Sequence, residues 1–517
     1  MHTFRLTAIG VLALSGMMRA APATSGPQSS LPRTAEGKPD LQGIWQASTT
    51  AGDDLQDHVA SLNITAGRSV LTDGSAIPYL PAAARQREEN FLNRAKLDPL
   101  NKCYIPGVPR VMTLDYPFQI FQTPRHITMA FEWELDYRNI YLDGSKHREK
   151  DDDSWMGDSR GHWEGDTLVI DVANMNGNTW IDKAGDFHSG DFHVVERYRM
   201  TDVNTIHYEA TLDDPKVYTK PFTIAFDFHR RLDRDRLFEY VCEAETEEAN
   251  GAFTREEKTW YPGSPSAPPV TMPASTYVSQ PVAPVANLRR TPEGRPDLNG
   301  FYESQSRGAN QGLERRVRGV ALIADPPDGK LPMQPWAVEE RISRNLPERG
   351  YDDATAHCFP PGVPRALWVP EGFQITQTPD YIVMLFERTA WRIIPLDNRK
   401  HLPDNMRLWE GGSVGHWEGD SLVVDTANFN GETWLNEGGE IVSYAEHVIE
   451  RFTPTGPDQL RYETTVYDPV VYNKPWTVTF PINREKFELR EAACLEEEHD
   501  LPHLKALKDA AAAARRR

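Results

Sequence analysis

The 517-residue chain has few cysteines, no excess of basic residues, and no apolar run of the roughly 18 residues that a membrane-spanning helix needs. Its 76 acidic residues outnumber its 56 Lys and Arg residues, which gives a formal net charge of −20. A chain this acidic repels phosphate backbones and anionic lipid headgroups. We therefore expect no nucleic acid partner and no membrane anchor.

Motifs for nucleotides and redox cofactors are also missing. The sequence contains no Walker A loop, no GxGxxG after a strand and no CxxCH for haem attachment. We therefore expect no cofactor. Any chemistry would fall to His, Glu, Asp and Tyr side chains that act as acids and bases.

The N-terminus has the pattern of a secretory signal peptide. A short basic start precedes an apolar run from Leu6 to Met18, and small residues follow up to Ala23. This pattern predicts a signal peptide over 1–23 and a secreted or periplasmic protein.

The rest of the chain is a tandem duplication. GHWEGD occurs at 161–166 and again at 415–420, and matching sequence extends from it in both directions at an offset of 254 to 257. The matched pairs include RTAEGKPDLQGIW (33–45) with RTPEGRPDLNGFY (290–302), CYIPGVPR (103–110) with CFPPGVPR (358–365), and HVVERYRM (193–200) with HVIERFTP (447–454). We divide the chain into a first unit (33–262), a linker rich in Pro, Ser and Ala (263–289), a second unit (290–500) and a helical basic tail (501–517).

The four cysteines fall at matching positions in the two units. Cys103 and Cys242 are 139 residues apart, and Cys358 and Cys494 are 136 apart. In an exported chain this arrangement predicts one disulfide in each unit. Metal ligation is the weaker alternative, because the cysteines lack CxxC spacing.

The secondary structure is predicted to be mainly strand. Apolar and polar residues alternate in TLVIDV, HVVERYRM, IHYEATL and PFTIAFDF, and turn signals such as Asn176-Gly177 separate these runs. An amphipathic helix is predicted before the first cysteine of each unit, at 81–97 and 334–347. The sequence therefore predicts a mainly β protein with two tandem homologous antiparallel β-barrel or sandwich units, each with one preceding helix.

These motifs carry a family resemblance. PDLQGIW (39–45), CYIPGVPR, GHWEGDTLVI and DDPKVYTKPF (213–222) together resemble a widespread family of uncharacterised secreted bacterial proteins, here as a tandem duplicate. More distantly, Gly43-Ile44-Trp45 is similar to the GxW of lipocalin-like (calycin) barrels. That second likeness implies a cup-shaped barrel that holds an apolar small molecule.

Polar residues on otherwise apolar strands, most of them shared by the two units, are the candidates for a site. The candidate catalytic residues are His188, His193, Glu132 and Tyr208, and the candidate ligand-binding residues are Arg138, Glu196, His162, Glu387, Arg392 and His447. Each has a structural alternative: Glu132 and Arg138 could pair as ions inside a barrel, and His162 could pack or cap.

The most polar candidate stretch is DFHSGDFH (186–193), which contains His188 and His193. The second unit has EIVSYAEH (440–447) there and lacks a counterpart of His188. We therefore expect the functional pocket in the first unit, with the second unit weaker. We expect no metal at this stretch, because His188 and His193 have opposite strand parity and no third ligand is obvious.

Three functions fit the sequence. The leading one is binding or carriage of an apolar or aromatic small molecule in a barrel pocket. The alternatives are a cofactor-independent enzyme (a lyase, hydratase, isomerase or cyclase) and a surface scaffold that engages glycans or proteins. An apolar cup favours the carrier, convergent His, Glu and Tyr favour the enzyme, and a filled interior favours the scaffold.

Overall fold

The computed structural model describes residues 31–249 and 272–516, apart from 307, 318–319 and 389. The predicted signal peptide (1–23) and the first part of the linker (263–271) lie outside these residues.

The first unit is a closed barrel of nine strands, in which each strand pairs with its neighbours along the chain. The strands are β1 Gly43–Ala47, β2 Phe118–Gln122, β3 His126–Phe131, β4 Tyr137–Tyr141, β5 Asp158–Glu164, β6 Thr167–Ala173, β7 His193–Asp202, β8 Thr205–Asp213 and β9 Phe222–Arg230. All pairs are antiparallel except β4 with β5, which run parallel over two residue pairs. The predicted fold class is confirmed, with this one departure from a fully antiparallel barrel.

The second unit repeats the arrangement. Its strands are β10 Gly300–Ser304, β11 Arg316–Val317, β12 Val320–Ala321, β13 Ile323–Asp325, β14 Phe373–Gln377, β15 Tyr381–Phe386, β16 Trp391–Pro395, β17 Gly412–Glu418, β18 Ser421–Ala427, β19 His447–Gly456, β20 Gln459–Tyr467 and β21 Trp476–Glu485. Strand β10 and strands β14 to β21 pair in the same order as β1 to β9. In the described residues, β16 and β17 are the two edge strands of this sheet and do not pair with each other, unlike their counterparts β4 and β5. Strand β13 pairs with β21 beside this path, and β11 pairs with β12 in a separate two-stranded sheet.

Five helices accompany the barrels in the described residues. They are α1 Pro81–Leu97, α2 Cys242–Ala249, α3 Pro335–Arg344, α4 Cys494–Glu497 and α5 Leu501–Arg515. Helix α1 has the predicted bounds, and α3 ends three residues before the predicted 347. Nowhere in the described ranges does a helix combine the length and apolar character needed to cross a membrane.

The barrel interiors are filled by large side chains that alternate along the strands. On β7 every second residue from Val194 to Met200 is buried, and on β8 the same holds from Ile206 to Leu212. Among the largest fully buried side chains are Trp45, Tyr198, Tyr208 and Phe118 in the first unit. The inward side chains of each strand therefore form a packed core.

Both predicted disulfides are present, each within its own unit. Cys103 bonds Cys242 with a Cα–Cα distance of 5.6 Å, and Cys358 bonds Cys494 with a Cα–Cα distance of 5.8 Å. Two disulfides fit an extracellular or periplasmic location.

The two units contact each other through equivalent residues. The Tyr137 hydroxyl donates to the Phe386 carbonyl at 2.9 Å. Trp391 is the counterpart of Tyr137 in the second unit, and its indole N–H donates to the Phe131 carbonyl at 2.7 Å. Because each unit uses the same patch toward the other, the interface has the pattern of a two-fold contact.

The segments that follow the barrels extend this reciprocity. Glu491 accepts hydrogen bonds from the backbone N–H groups of Trp155 (2.7 Å) and Met156 (3.1 Å) in the first unit. Glu239 is the counterpart of Glu491, because each lies three residues before the second cysteine of its unit. Glu239 accepts from the backbone N–H groups of Trp409 and Glu410 in the second unit.

An apolar cluster joins the units beneath these polar contacts. Every residue from Ile127 to Phe131 on β3 and from Ile382 to Phe386 on β15 is buried, so both faces of these strands are covered. The cluster includes Ile44, Phe121, Leu135 and Val241 from the first unit and Phe359, Val383, Leu385, Trp391 and Trp409 from the second. Each unit has the length to fold alone, but the structure adds a shared core that the sequence analysis did not predict.

Candidate functional site

Three of the predicted site residues meet inside the first barrel. The Arg138 guanidinium on β4 donates from NH1 to Glu196 Oε1 at 3.0 Å, and the Tyr208 hydroxyl donates to the same oxygen at 2.9 Å. The Tyr198 hydroxyl adds a third donor at 3.0 Å, and Arg138 Nε donates to Ser159 Oγ at 2.9 Å. The second barrel has the same network around Arg392 and Glu450, with Tyr462 as the tyrosine donor at 2.8 Å.

The pairing of Glu132 with Arg138 is corrected by these contacts. Glu132 instead pairs with Arg234 at 2.7 Å and accepts from the Phe238 backbone N–H at 3.1 Å. Its counterpart Glu387 accepts from the Gly372 backbone N–H at 3.0 Å. Glu132 and Glu387 immediately follow β3 and β15, and they bind neighbouring segments instead of the barrel interior.

The interior networks are sealed from solvent. The side chains of Arg138 and Glu196 are 1% and 0% exposed. Burial raises the pKa of Tyr198 and of Tyr208 well above the ordinary value, and the nearby Glu196 raises both further. These tyrosines therefore stay protonated and donate to Glu196, as a structural network requires.

A serine motif in both units belongs to the same interior. GDSRG (157–161) and GGSVG (411–415) each match GxSxG, the pattern of the nucleophile elbow in α/β-hydrolases. That elbow needs a serine exposed on a turn between a strand and a helix. Ser159 instead lies within β5, is 3% exposed and is held by Arg138, so the match does not mark a nucleophile.

His188 is packed in the protein and does not approach His193. Its ring stacks on Phe192 with a centroid distance of 4.3 Å, and its Nδ1 lies 3.0 Å from the Ser189 carbonyl oxygen. Burial lowers the pKa of His188. Ser189 donates from its hydroxyl to Asp214 at 3.0 Å, so the polar stretch 186–193 is anchored as a structural loop.

His193 lies on the outer face of the first barrel, where it shares an aspartate with a second histidine. His193 Nε2 and His147 Nε2 lie 2.8 and 2.9 Å from the same atom, Oδ1 of Asp171 on β6. His147 Nδ1 lies 3.0 Å from Asp158 Oδ2.

The second unit repeats this outer cluster. His401 Nε2 and His447 Nε2 lie 2.9 and 2.6 Å from Asp425 Oδ1, and His401 Nδ1 lies 3.0 Å from the Gly412 carbonyl oxygen. His147, Asp171, His401 and Asp425 were not among the predicted site residues. Comparison of the two units at the offset of 254 could have found them, because His147 matches His401 and Asp171 matches Asp425.

The outer clusters have strongly shifted protonation equilibria. Hydrogen bonds to Asp158 and Asp171 raise the pKa of His147 to about 9, and the hydrogen bond to Asp171 raises that of His193. The two histidines hold the pKa of Asp171 well below its usual range.

His162 takes no part in these clusters. Its ring is 61% exposed and lies 3.3 Å from Glu164 Oε1, and His416 lies 3.2 Å from Glu418 Oε1 in the same way. Both belong to the hairpin formed by GHWEGD, where Gly165 has a φ of 61° that only glycine adopts without strain. In both units the hexapeptide thus forms a surface hairpin, and its histidine contacts a glutamate of the same hairpin.

A large cavity beside titratable groups lies in the first unit, outside the barrel. It is an open groove of about 790 Å³ between the irregular segment 54–68 and helix α1. Asp54, His58, Arg87 and Phe91 are among its lining residues, with Val59 and Ile64 on the apolar wall.

Three aspartates meet beneath this groove. One carboxylate oxygen from each of Asp54, Asp182 and Asp186 lies within 4.8 Å of the others. Arg87 joins them, with NH2 3.1 Å from Asp54 Oδ2 and Nε 2.8 Å from Asp186 Oδ1. Tyr79 donates from its hydroxyl to Asp186 Oδ1 at 2.7 Å. A single guanidinium thus faces three carboxylates.

Burial favours the neutral form of two of these acids. It raises the pKa of Asp182 well above the usual value, and the neighbouring Asp186 raises it further. Burial also raises the pKa of Asp54, which is the member of the cluster that reaches the groove. Asp186 Oδ2 is buried without a hydrogen-bond partner.

The second unit has replaced the aspartate pair. Asn436 stands at the position of Asp182, and its amide donates to Glu440 at the position of Asp186. Arg341, the counterpart of Arg87, lies 3.8 Å from Glu440. An amide beside a carboxylate cannot share a proton as two carboxylates can.

Comparisons with known proteins give no family assignment: no protein-family model matches the chain, and no curated protein matches it in sequence.

Proposed function

We propose that the chain is an exported, cofactor-independent enzyme of the acid–base type, which acts on a small molecule bound in the groove of the first unit. The observation that carries the proposal is Asp54 and Arg87 at the wall of a groove of about 790 Å³, backed by two further buried carboxylates. Groups with shifted pKa values beside a cavity are characteristic of functional sites.

The cluster has the parts that proton transfer needs. Asp54 reaches the groove with a raised pKa, which brings it closer to neutral pH as a general acid or base. Behind it, burial and the neighbouring Asp186 raise the pKa of Asp182 well above the usual value, so Asp182 can hold a proton.

The groove walls suggest the class of substrate. Arg87 can hold a carboxylate or carbonyl oxygen, and Phe91 with Val59 and Ile64 can contact an apolar or aromatic body. An acid, a base and an anion-holding group suffice for a lyase, hydratase, isomerase or cyclase. The second unit, with Asn436 in place of Asp182, supports the first as a scaffold and is not a second catalytic unit in this proposal.

Carriage in a barrel pocket is less favoured by the geometry, because the interior of each barrel is packed with Tyr, Phe, Trp and the buried Arg–Glu network. That filled interior favours a second candidate function, a rigid surface scaffold. Export rests on the predicted signal peptide and on the two disulfides.

The test compares two groove aspartates. Asp54→Asn removes the proposed acid–base group, and Asp57→Asn changes a groove residue whose side chain is 65% exposed and faces Arg68 at 3.7 Å. The probe is a panel of small aromatic and alicyclic carboxylic acids and ketones, screened for binding by ligand-observed NMR and for conversion by NMR of the mixture. We expect Asp54→Asn to keep binding and lose conversion, and Asp57→Asn to keep both.

Two results would contradict this proposal. Binding and conversion that are unchanged in both Asp54→Asn and Phe91→Ala would place the site elsewhere. Absence of any binding to the wild-type protein, with folding intact, would favour the scaffold.

A further inference from the structure

The outer faces of both barrels carry a cluster that the proposed function does not use. In each unit two histidines approach one oxygen of one aspartate: His147 and His193 around Asp171, and His401 and His447 around Asp425. None of these residues is among those that line the groove of the first unit.

The donor atoms of the second-unit cluster lie close enough together to share a metal ion. One ligand atom from each of His401, Asp425 and His447 lies within 4.8 Å of the other two, a condition that His147, Asp171 and His193 of the first unit do not meet. A tetrahedral zinc ion about 2.0–2.1 Å from each nitrogen or oxygen separates neighbouring donors by about 3.3 Å. The Nε2 atoms of His401 and His447 lie 2.9 and 2.6 Å from Asp425 Oδ1, so a small outward movement gives that spacing.

The other ring nitrogen of one histidine in each cluster is already held by an acceptor. His147 Nδ1 lies 3.0 Å from Asp158 Oδ2, and His401 Nδ1 lies 3.0 Å from the Gly412 carbonyl oxygen. A metal-bound histidine almost always donates its second ring N–H to a carboxylate or a backbone carbonyl in this way. The two units therefore supply the same orientation by different chemistry.

The side chains of the three second-unit ligands are 31% to 44% exposed, which leaves room for water at the remaining coordination positions.

We propose that the second unit binds one divalent transition-metal ion of the zinc class through His401, Asp425 and His447. Two imidazole nitrogens and one carboxylate with open positions are a donor set that such ions take. The site does not depend on the proposed acid–base groove, and its test needs no substrate.

The experiment is equilibrium dialysis of the full chain against micromolar ZnCl₂, followed by elemental analysis. We expect one zinc ion per chain and none in His447→Ala. The matched controls are His193→Ala, which is the equivalent change in the first unit, and the double variant His162→Ala/His416→Ala, which removes two exposed histidines that each face one glutamate. We expect both controls to keep the ion.

Circular dichroism of each variant establishes that it folds; the four changed histidine side chains are 43% to 61% exposed. The proposal is overturned if the wild-type chain binds no zinc at micromolar concentration. It is also overturned if the stoichiometry is the same in His447→Ala and the two controls.

Discussion

Replacement of Glu196 by Gln tests whether the buried Arg–Glu network holds the first barrel together. The Glu196 carboxylate accepts from Arg138, from Tyr198 at 3.0 Å and from Tyr208 at 2.9 Å, and its side chain is 0% exposed. A carboxamide keeps the shape but removes the charge, so the Arg138 guanidinium is left buried without a counter-charge. Such a loss costs about 3–5 kcal/mol of the free energy of unfolding.

A double variant separates the pair from its parts. Arg138→Met with Glu196→Leu removes both charges and fills the space with apolar atoms, which is often neutral or even stabilising for a buried ion pair. We expect the double variant to be more stable than Glu196→Gln. Glu164→Gln is the control, because Glu164 pairs with Arg197 at 2.7 Å at the surface, where such a pair contributes about 0–1 kcal/mol.

The assay is urea unfolding followed by tyrosine and tryptophan fluorescence, with melting temperatures from calorimetry. A loss of 3–5 kcal/mol corresponds to a fall in melting temperature of roughly 6–20 °C. The reasoning is refuted if Glu196→Gln loses no more stability than Glu164→Gln. It is equally refuted if the double variant loses as much stability as Arg138→Met and Glu196→Leu lose together when each is made alone, since the two charges would then be uncoupled.

Two more predictions concern the interface between the units. Burial, with Glu410 nearby, raises the pKa of Glu239 to about 8 from 4.5, and burial raises that of Glu410 to about 7. Between the ordinary value of 4.5 and these raised values, the folded chain holds protons on Glu239 and Glu410 that the unfolded chain has lost. The free energy of unfolding therefore falls as pH rises, by about 3 kcal/mol from pH 5.5 to 8.5 for Glu239 alone. A calorimetric melting temperature that is equal or higher at pH 8.5 would contradict this. After proteolysis within the linker (263–289), we expect the two units to elute together in gel filtration, because they share an apolar core. Two separate half-size species would show that this core is too weak to hold them together.

Alternation along the strands predicted the barrels and part of their interior. Arg138, Glu196 and Tyr208 all fall on inward positions of β4, β7 and β8. The same rule places His193 on the opposite face from Glu196, because the two are three residues apart on one strand. Strand alternation therefore rules out one site that contains both His193 and Glu196. In the structure the two side chains lie on opposite sides of the barrel wall: His193 is 43% exposed and Glu196 is 0% exposed.

The interface between the units also left a trace in the sequence. YIVMLF (381–386) is apolar at both parities, as a strand buried on both faces must be. The partner that covers its outer face could not be deduced from this pattern, because an apolar strand does not specify what packs on it.

The groove could not be predicted from periodicity. Asp54 and His58 lie in an irregular segment, and Asp182 is more than 120 residues further along the chain. Their meeting depends on how two loops and helix α1 settle against the barrel, which local sequence does not encode. His147 was missed for a similar reason, since it lies in an irregular segment after β4.

The reciprocal contacts between the units have a consequence for the history of the chain. Contacts of the form Tyr137 to Phe386 and Trp391 to Phe131 are those of a symmetric homodimer, so the simplest ancestor is a single-unit protein that self-associated through this face. In a single chain the two sides of the contact are encoded by separate codons, and the association is intramolecular, so it does not depend on protein concentration. Each half then became free to change alone: the first acquired or kept Asp182 and Tyr79, where the second has Asn436 and Met333.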